Sequence, residues 1–459
     1  MLEALPNRLP DYEIDDSNPF KGDRLNRSQY AHILTDLIEA YSNTGCVLSI
    51  NGEWGTGKTT FVKMWQSYLE MNHYRTIYFN AWETDYIDDP LIALLGELKV
   101  IIGNDDSFRE VFNSVGRVLL AMGKSLAKNK FGVNVDDIAN ELMNQINEYS
   151  KQKASFHDFK EALKKYVSYV KEDEKLPVVF IIDELDRCNP HFAVKVLERV
   201  KHLFDIPNII FVLPINKNQL EFSIQGFYGS EKIDAANYLR RFIDIEFELP
   251  APDYDVFFQI LSEHYRFADF YQDKIKKGNN HVRDGSDLFK CMAVNLCKYK
   301  QLDLRTMDKL FSLSRLVVTE INGSEVADLD LYFLLCYLKV CENSLYRDIK
   351  RHKMKLQQLL ERIEEVIPRQ LLASDDKYSI DHHSFLYAFA LMLYFYNQSD
   401  SIVYEENVLP SSNNPVVNLT CSVIDKDKLE EGLKYATTRM LYLTKISDIT
   451  DKIDLLRIR

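Results

Sequence analysis

The 459-residue sequence has no CxxC pair, no internal repeat, no low-complexity tract and no excess of positive charge. Its seven cysteines, Cys46, Cys188, Cys291, Cys297, Cys336, Cys341 and Cys421, are odd in number and irregularly spaced. That argues against a disulfide framework or a zinc site and fits a reducing cytoplasm. The longest apolar run, Phe385 to Tyr396, has 12 residues, whereas a membrane-spanning helix needs about 20. No transmembrane segment is expected, and this run reads as a buried helix. Met1 to Asp16 is acidic where a signal peptide would be basic and then apolar. The net charge of -13 gives no global attraction to nucleic acid or an anionic membrane.

What is present is ordinary for a globular chain: 46% hydrophobic and 27% charged residues. At roughly 100–200 residues per domain, about two to four domains are expected. Residues 1–22 are polar, contain Pro6, Pro10 and Pro19, and read as an N-terminal arm. Five short runs rich in β-branched or aromatic residues follow: Cys46–Ile50, Thr76–Asn80, Val178–Ile182, Asn208–Leu213 and Asp244–Leu249. Helical patterns separate them. Strands alternating with helices predict a parallel five-stranded sheet covered on both faces, over 23–250. Residues 91–175 carry apolar positions at helical spacing and read as a helical insertion. Beyond Pro250 the segments 255–268, 287–318, 328–372, 384–397 and 427–445 read as helices. A helical lid is expected over 251–325 and a helical C-terminal domain over 326–459.

Gly52-Glu53-Trp54-Gly55-Thr56-Gly57-Lys58-Thr59 matches G-x-x-x-x-G-K-[ST] between a strand and an amphipathic helix. The glycines permit a tight turn whose N–H groups cradle phosphate. The helix N-terminus adds partial positive charge. Lys58 is expected at the β- and γ-phosphates, and the Thr59 hydroxyl at Mg²⁺. Gly52, Trp54, Gly55, Thr56, Gly57 and Thr60 complete the expected ATP cradle, with Trp54 facing a base or a partner. Val178 to Ile182 is an apolar run ending in Asp183 and Glu184. On the expectation that this strand lies beside the phosphate loop, Asp183 becomes a Mg²⁺ ligand and Glu184 the residue that polarises attacking water. Neighbours in a strand point different ways, which suits two jobs. Arg187 is left between binding phosphate, reaching a neighbouring subunit and pairing with Asp186. Trp82 reads as a packed anchor.

Together these residues resemble the KAP family of P-loop NTPases. The resemblance rests on Asp23-Arg24-Leu25-Asn26-Arg27, Gly52–Thr60, Phe79-Asn80-Ala81-Trp82-Glu83, Ile182–Cys188 and Tyr238-Leu239-Arg240-Arg241-Phe242. The family's acidic motif usually has two aspartates; here Glu184 holds the second place and keeps a carboxylate. Many members carry membrane helices in the insertion, which is amphipathic and charged here. The resemblance implies phage defence as one cellular role.

Four further residues carry weaker signals. Asn216, after the fourth strand, reads as a γ-phosphate sensor or a turn asparagine. Arg240 and Arg241 read as an arginine finger across a subunit contact or as helix-end charges. Arg305 resembles a lid arginine. The basic stretch Arg347, Lys350, Arg351, His352, Lys353 and Lys355 reads as a phosphate-backbone contact or a solvated helix face. Arg117, Lys124, Lys128 and Lys130 oppose apolar residues on an insertion helix, which could lie on a membrane or pack on the sheet. Three functions follow: an ATPase switch that is a homo-oligomer or drives an effector protein, a nucleotide-gated scaffold with negligible hydrolysis, or a nucleic-acid-associated ATPase. Glu184 favours the first over the second, and the charge disfavours the third.

Overall fold

A sheet buried on both faces requires near-continuous apolar runs, and the chain supplies them in Val178–Asp183 and Ile209–Ile215, which are buried along their whole length. In the computed structural model, β1 (Cys46–Asn51), β2 (Arg75–Asn80), β3 (Val178–Asp183), β4 (Ile209–Ile215) and β5 (Ile245–Glu248) form one parallel sheet in the order β2-β3-β4-β1-β5. The structure describes residues 9–10, 12–87, 90, 157, 160, 161, 163, 164, 167, 176–201, 203, 206–276, 285–319, 329–372, 380–397, 419–439 and 446–455. Most of the expected insertion over 91–175, including Arg117, Lys124, Lys128 and Lys130, lies outside the described residues, as do the loop at 398–416 and part of the N-terminal arm.

Odd and even strand positions face opposite cores. Val178, Phe180, Ile182, Ile209, Phe211 and Leu213 pack against helices Pro190–Val200 and Lys217–Tyr228. Val179, Ile181, Ile210, Val212, Leu48 and Ile50 pack against α1 (Ser28–Ala40) and α2 (Lys58–Met71). By this period of two, Tyr78 and Asp183 fall on the α2 face. The sequence reading put the acidic strand beside the phosphate loop and gave no strand order. In the sheet β4 lies between β1 and β3, pairing with both. Strand β4 also runs two residues further than expected, through Pro214 to Ile215.

Contacts divide the chain into one unit of Tyr12–Ala251 and another of Met1–Asp11 with Pro252–Arg459. The described elements of the second unit are helices. Helix Ile380–Asn397 contains the longest apolar run and is buried along it, against helices Gly285–Tyr299, Leu329–Cys341 and Lys426–Arg439. A Cβ added at Gly432 would sit 3.0 Å from the Ala390 Cβ, so this glycine lets two helices approach closely. The stretches expected as single helices over 287–318 and 328–372 are broken into Gly285–Tyr299 and Leu304–Thr319, and into Leu329–Cys341, Asn343–Lys350, Leu356–Val366 and Arg369–Leu372. The basic stretch spans one of these breaks. Lys350 is paired with Asp451 at 2.8 Å and with Asp454, and His352 stacks on Tyr396. No described helix is long and apolar enough to cross a membrane.

Candidate functional site

The loop between β1 and α2 turns through two left-handed glycines, Gly55 at φ 79° and Gly57 at φ 84°. Only glycine adopts these angles without strain. Gly57 is the N-cap of α2 and offers no side-chain cap, so the first N–H groups of the helix stay open to an anion. Lys58 is buried and its Nζ donates to the Gly52 carbonyl and, at 3.0 Å, to that of Glu53. Burial pulls its ammonium below the usual lysine range, while Asp186 and then Asp183 act to hold the proton. Thr60, one residue beyond Thr59, lies in the first turn of the same helix.

Three elements bring two carboxylates to Thr59. Asp183 ends β3 and is only 2% exposed. Its Oδ2 accepts from the Tyr78 hydroxyl at 2.8 Å and its Oδ1 from the Glu184 N–H at 2.8 Å. Burial raises the Asp183 carboxyl, and hydrogen bonds from Tyr78, the Glu184 N–H and Thr59 partly counter this. Glu184 follows with φ 61°, a left-handed conformation uncommon outside glycine. The strand has already ended, so the two acids do not diverge by simple strand alternation. The turn brings Glu184 back, and the Thr59 hydroxyl donates to its Oε1 at 3.3 Å. Burial raises the Glu184 carboxyl too, with Arg187 opposing.

Arg187 settles its open alternatives differently from the sequence reading. Its Nε lies 2.5 Å from Glu184 Oε2, so it pairs with Glu184 and not Asp186. The contact is one of charge, since Oε2 accepts no hydrogen bond from a described residue. The guanidinium also lies 5.7 Å from the ring centre of Trp82. Trp82 is 51% exposed, so it is a cover for Arg187 and not the packed anchor expected.

Asn216 is 2% exposed and caps helix Lys217–Tyr228 by accepting from the Gln219 N–H. It is therefore a turn asparagine in one respect, but its Nδ2 is aimed elsewhere, at Glu53 Oε2, 2.8 Å away. Trp54 is partly exposed, and its indole Nε1 donates to Asp186 Oδ2 at 2.5 Å. The Thr56 hydroxyl donates to the Glu53 carbonyl, and the Thr56 carbonyl accepts from Arg27 Nη2 at 3.3 Å. Arg27 is buried and also donates to the Pro250 carbonyl at 2.9 Å. Arg240 and Arg241 follow the short helix Ala235–Leu239 and are exposed. Arg305 belongs to the other unit, in the first turn of helix Leu304–Thr319. The sequence reading had no role for Tyr78, Glu53 or Arg27, and gave Asp186 only as a candidate partner of Arg187. Arg27 appeared in the N-terminal signature, but a cross-chain contact has no local signal.

The arrangement is a glycine-turned loop with an ammonium at its base, a hydroxyl beside one buried and one half-buried acid, and a helix-capping asparagine facing the loop. Comparison with known proteins bears on it at two levels. A sequence model of the KAP family P-loop domain matches residues 27–364, running past the sheet into the helical unit. The phage T7 exclusion protein of Escherichia coli (strain K12) is 22% identical over 242 residues, 48% of this chain and 32% of that protein. The matched region thus spans about a third of that relative's length. Among solved structures, the Aeropyrum pernix ORC2 protein is similar in its ADP form at 14% identity, over 85% of this chain and 89% of that one, with a TM-score of 0.31. Its ADPNP–ADP complexes match at 14% identity over 95% and 96%, with a TM-score of 0.33. At these scores the fold class rests on the sheet order and the family match.

Proposed function

The chain belongs to the KAP family of P-loop NTPases, and on that premise we propose that it binds Mg·ATP at 52–60 and hydrolyses it as a molecular switch. The observation that carries the proposal is the meeting of Thr59, Asp183 and Glu184 at the N-terminus of α2. A hydroxyl beside a buried carboxylate is a hard-oxygen donor pair, which suits a Mg²⁺ that also takes phosphate and water oxygens. Thr59 and Asp183 would hold that ion, which would supply positive charge to the phosphates.

The remaining work falls to the chain. Lys58 supplies the cation at the β- and γ-phosphates. The N–H groups of Gly55, Thr56, Gly57, Thr59 and Thr60 surround the phosphate oxygens, and Gly52 lets the backbone come close. Glu184 accepts the proton of attacking water; its raised carboxyl makes it a better base than an ordinary glutamate. Asn216 orients the γ-phosphate with its amide. Arg305, in a lid over 251–325, reports on nucleotide, and 326–459 forms a helical C-terminal domain. Arg240 or Arg241 completes the site from a neighbouring copy, which makes turnover depend on assembly. The likeness to a phage exclusion protein supports a role against phage, which we place in the cytoplasm and through an effector protein.

The test is ATP turnover by the purified chain, with mass measured in the presence and absence of nucleotide. Lys58→Ala is expected to abolish tight Mg·ATP binding by calorimetry. Unchanged affinity in that variant would reject the site.

A further inference from the structure

The phosphate-loop signature leaves four positions open, and two of them are committed here. Glu53 Oε2 accepts from Asn216 Nδ2 at 2.8 Å. Asn216 N–H donates to Asp186 Oδ2 at 3.1 Å. The same Oδ2 accepts from Trp54 Nε1 at 2.5 Å. Glu53 and Trp54 are neighbours in the chain, so these bonds close a ring through the phosphate loop, the turn after β3 and the end of β4. Asp186 is 7% exposed, and its Oδ2 is the one acceptor shared by two of the three segments. A single buried carboxylate accepting two N–H bonds fixes both donors relative to each other more firmly than neutral acceptors would.

The ring also explains two features. Strand β4 separates β1 from β3, so no backbone ladder joins the phosphate loop to the acidic turn. Side chains must make that link. Trp54 is 42% exposed in a loop where a smaller residue would serve the turn. Its indole N–H is a donor long enough to reach across the gap.

We propose that Asp186 is a positioning residue that sets the phosphate loop against Asn216, using the indole of Trp54 and the backbone of Asn216 as its two handles. The proposal deepens the reading of this loop as a nucleotide site and rests on it. Asp186 itself touches no reacting atom. Loss of the Trp54 handle should loosen the cradle, whereas loss of Asp186 should displace the sensing asparagine as well.

Kinetics on Trp54→Phe, Asp186→Ala, Asp186→Asn and the Trp54→Phe/Asp186→Ala pair test it. Phe keeps the ring stack and removes the donor. Trp54→Phe should raise KM for ATP about tenfold with little change in kcat, the loss of one charge-assisted hydrogen bond. Asp186→Ala should raise KM similarly and also lower kcat at least about tenfold. Asp186→Asn keeps an acceptor oxygen and should recover most of both. The pair should be no worse in KM than Asp186→Ala alone, because one bond cannot be lost twice. Additive KM effects, or parental kinetics in Asp186→Ala, would overturn the proposal. Parent protein and Lys58→Ala are run alongside. A parent that neither binds nor turns over Mg·ATP refutes the nucleotide reading instead. The ring is then judged by the Trp54 share of emission in a Trp82→Phe background, taken as the difference from Trp54→Phe/Trp82→Phe so that buried Trp65 cancels, and an identical share with and without Asp186 overturns it.

Discussion

Glu184 sits at φ 61°, and a left-handed conformation costs a residue with a Cβ about 1–2 kcal/mol. At an ordinary position alanine is more stable than glycine by roughly 0.5–1 kcal/mol, through the entropy of the unfolded chain. The two terms oppose each other here. Glu184→Gly should therefore be more stable than Glu184→Ala by about 0.75 kcal/mol, the difference between the midpoints of the two ranges, reversing the usual order. Both variants remove the carboxylate, the Arg187 pair and the Thr59 contact, so those losses cancel in the comparison. For a domain of this size the difference corresponds to a shift of about 1–4 °C in Tm. It is read by denaturant titration or calorimetry on the full chain, following the transition of the unit Tyr12–Ala251. Both variants should also lose turnover by about 10²–10⁴-fold, the usual loss for a general base, while still binding Mg·ATP. Strain and chemistry thus separate: the backbone prefers glycine where the reaction needs a carboxylate. Alanine more stable than glycine would refute the strain, and turnover within tenfold of the parent would refute the base.

The raised carboxyls of Asp183 and Glu184 give a pH dependence with a definite sign. Each binds its proton more tightly folded than unfolded, so the contribution of these two groups to stability is greatest below the ordinary carboxylate range and falls as pH rises through it toward the raised values. Glu184→Gln should flatten part of that fall, as urea titrations of the nucleotide-free chain across about pH 4–8 check. Gly432→Val places methyl groups where a Cβ already meets Ala390 at 3.0 Å. It should destabilise the helical unit by about 1–3 kcal/mol, seen by thermal melting. If an arginine completes the site in trans, mixing Arg241→Ala or Arg240→Ala with Glu184→Gln should restore some activity. The parent's specific activity should then rise with concentration, and a flat response over a hundredfold dilution with monomeric mass refutes assembly.

Local patterns in the chain determined the strands, the phosphate loop and the acidic strand end. The reason is that each is encoded within a few residues: short continuous β-branched runs, glycines where φ must be positive, and a lysine at a helix start. The seven-residue β4 and six-residue β3 were legible in this way to within two residues. Helix Leu329–Cys341 was visible only as part of a longer stretch, because ten consecutive buried residues erase the one-sided pattern that marks a helix and its ends. What tertiary structure alone decided is the company each side chain keeps. Strand order is set by which faces pack together, so the placement of β4 between β1 and β3 has no signature in any one segment. Tyr78 meets Asp183 across two strands, Arg27 reaches Thr56 over a gap of 29 positions, and Trp54 reaches Asp186 over 132. Arg187 chose Glu184 over the adjacent Asp186 because a left-handed turn, invisible in residue types that include a glutamate, redirected the chain. Chemistry-bearing residues could be listed from the sequence, but their partners follow from packing, since a hydrogen bond depends on distance in space and not on separation along the chain.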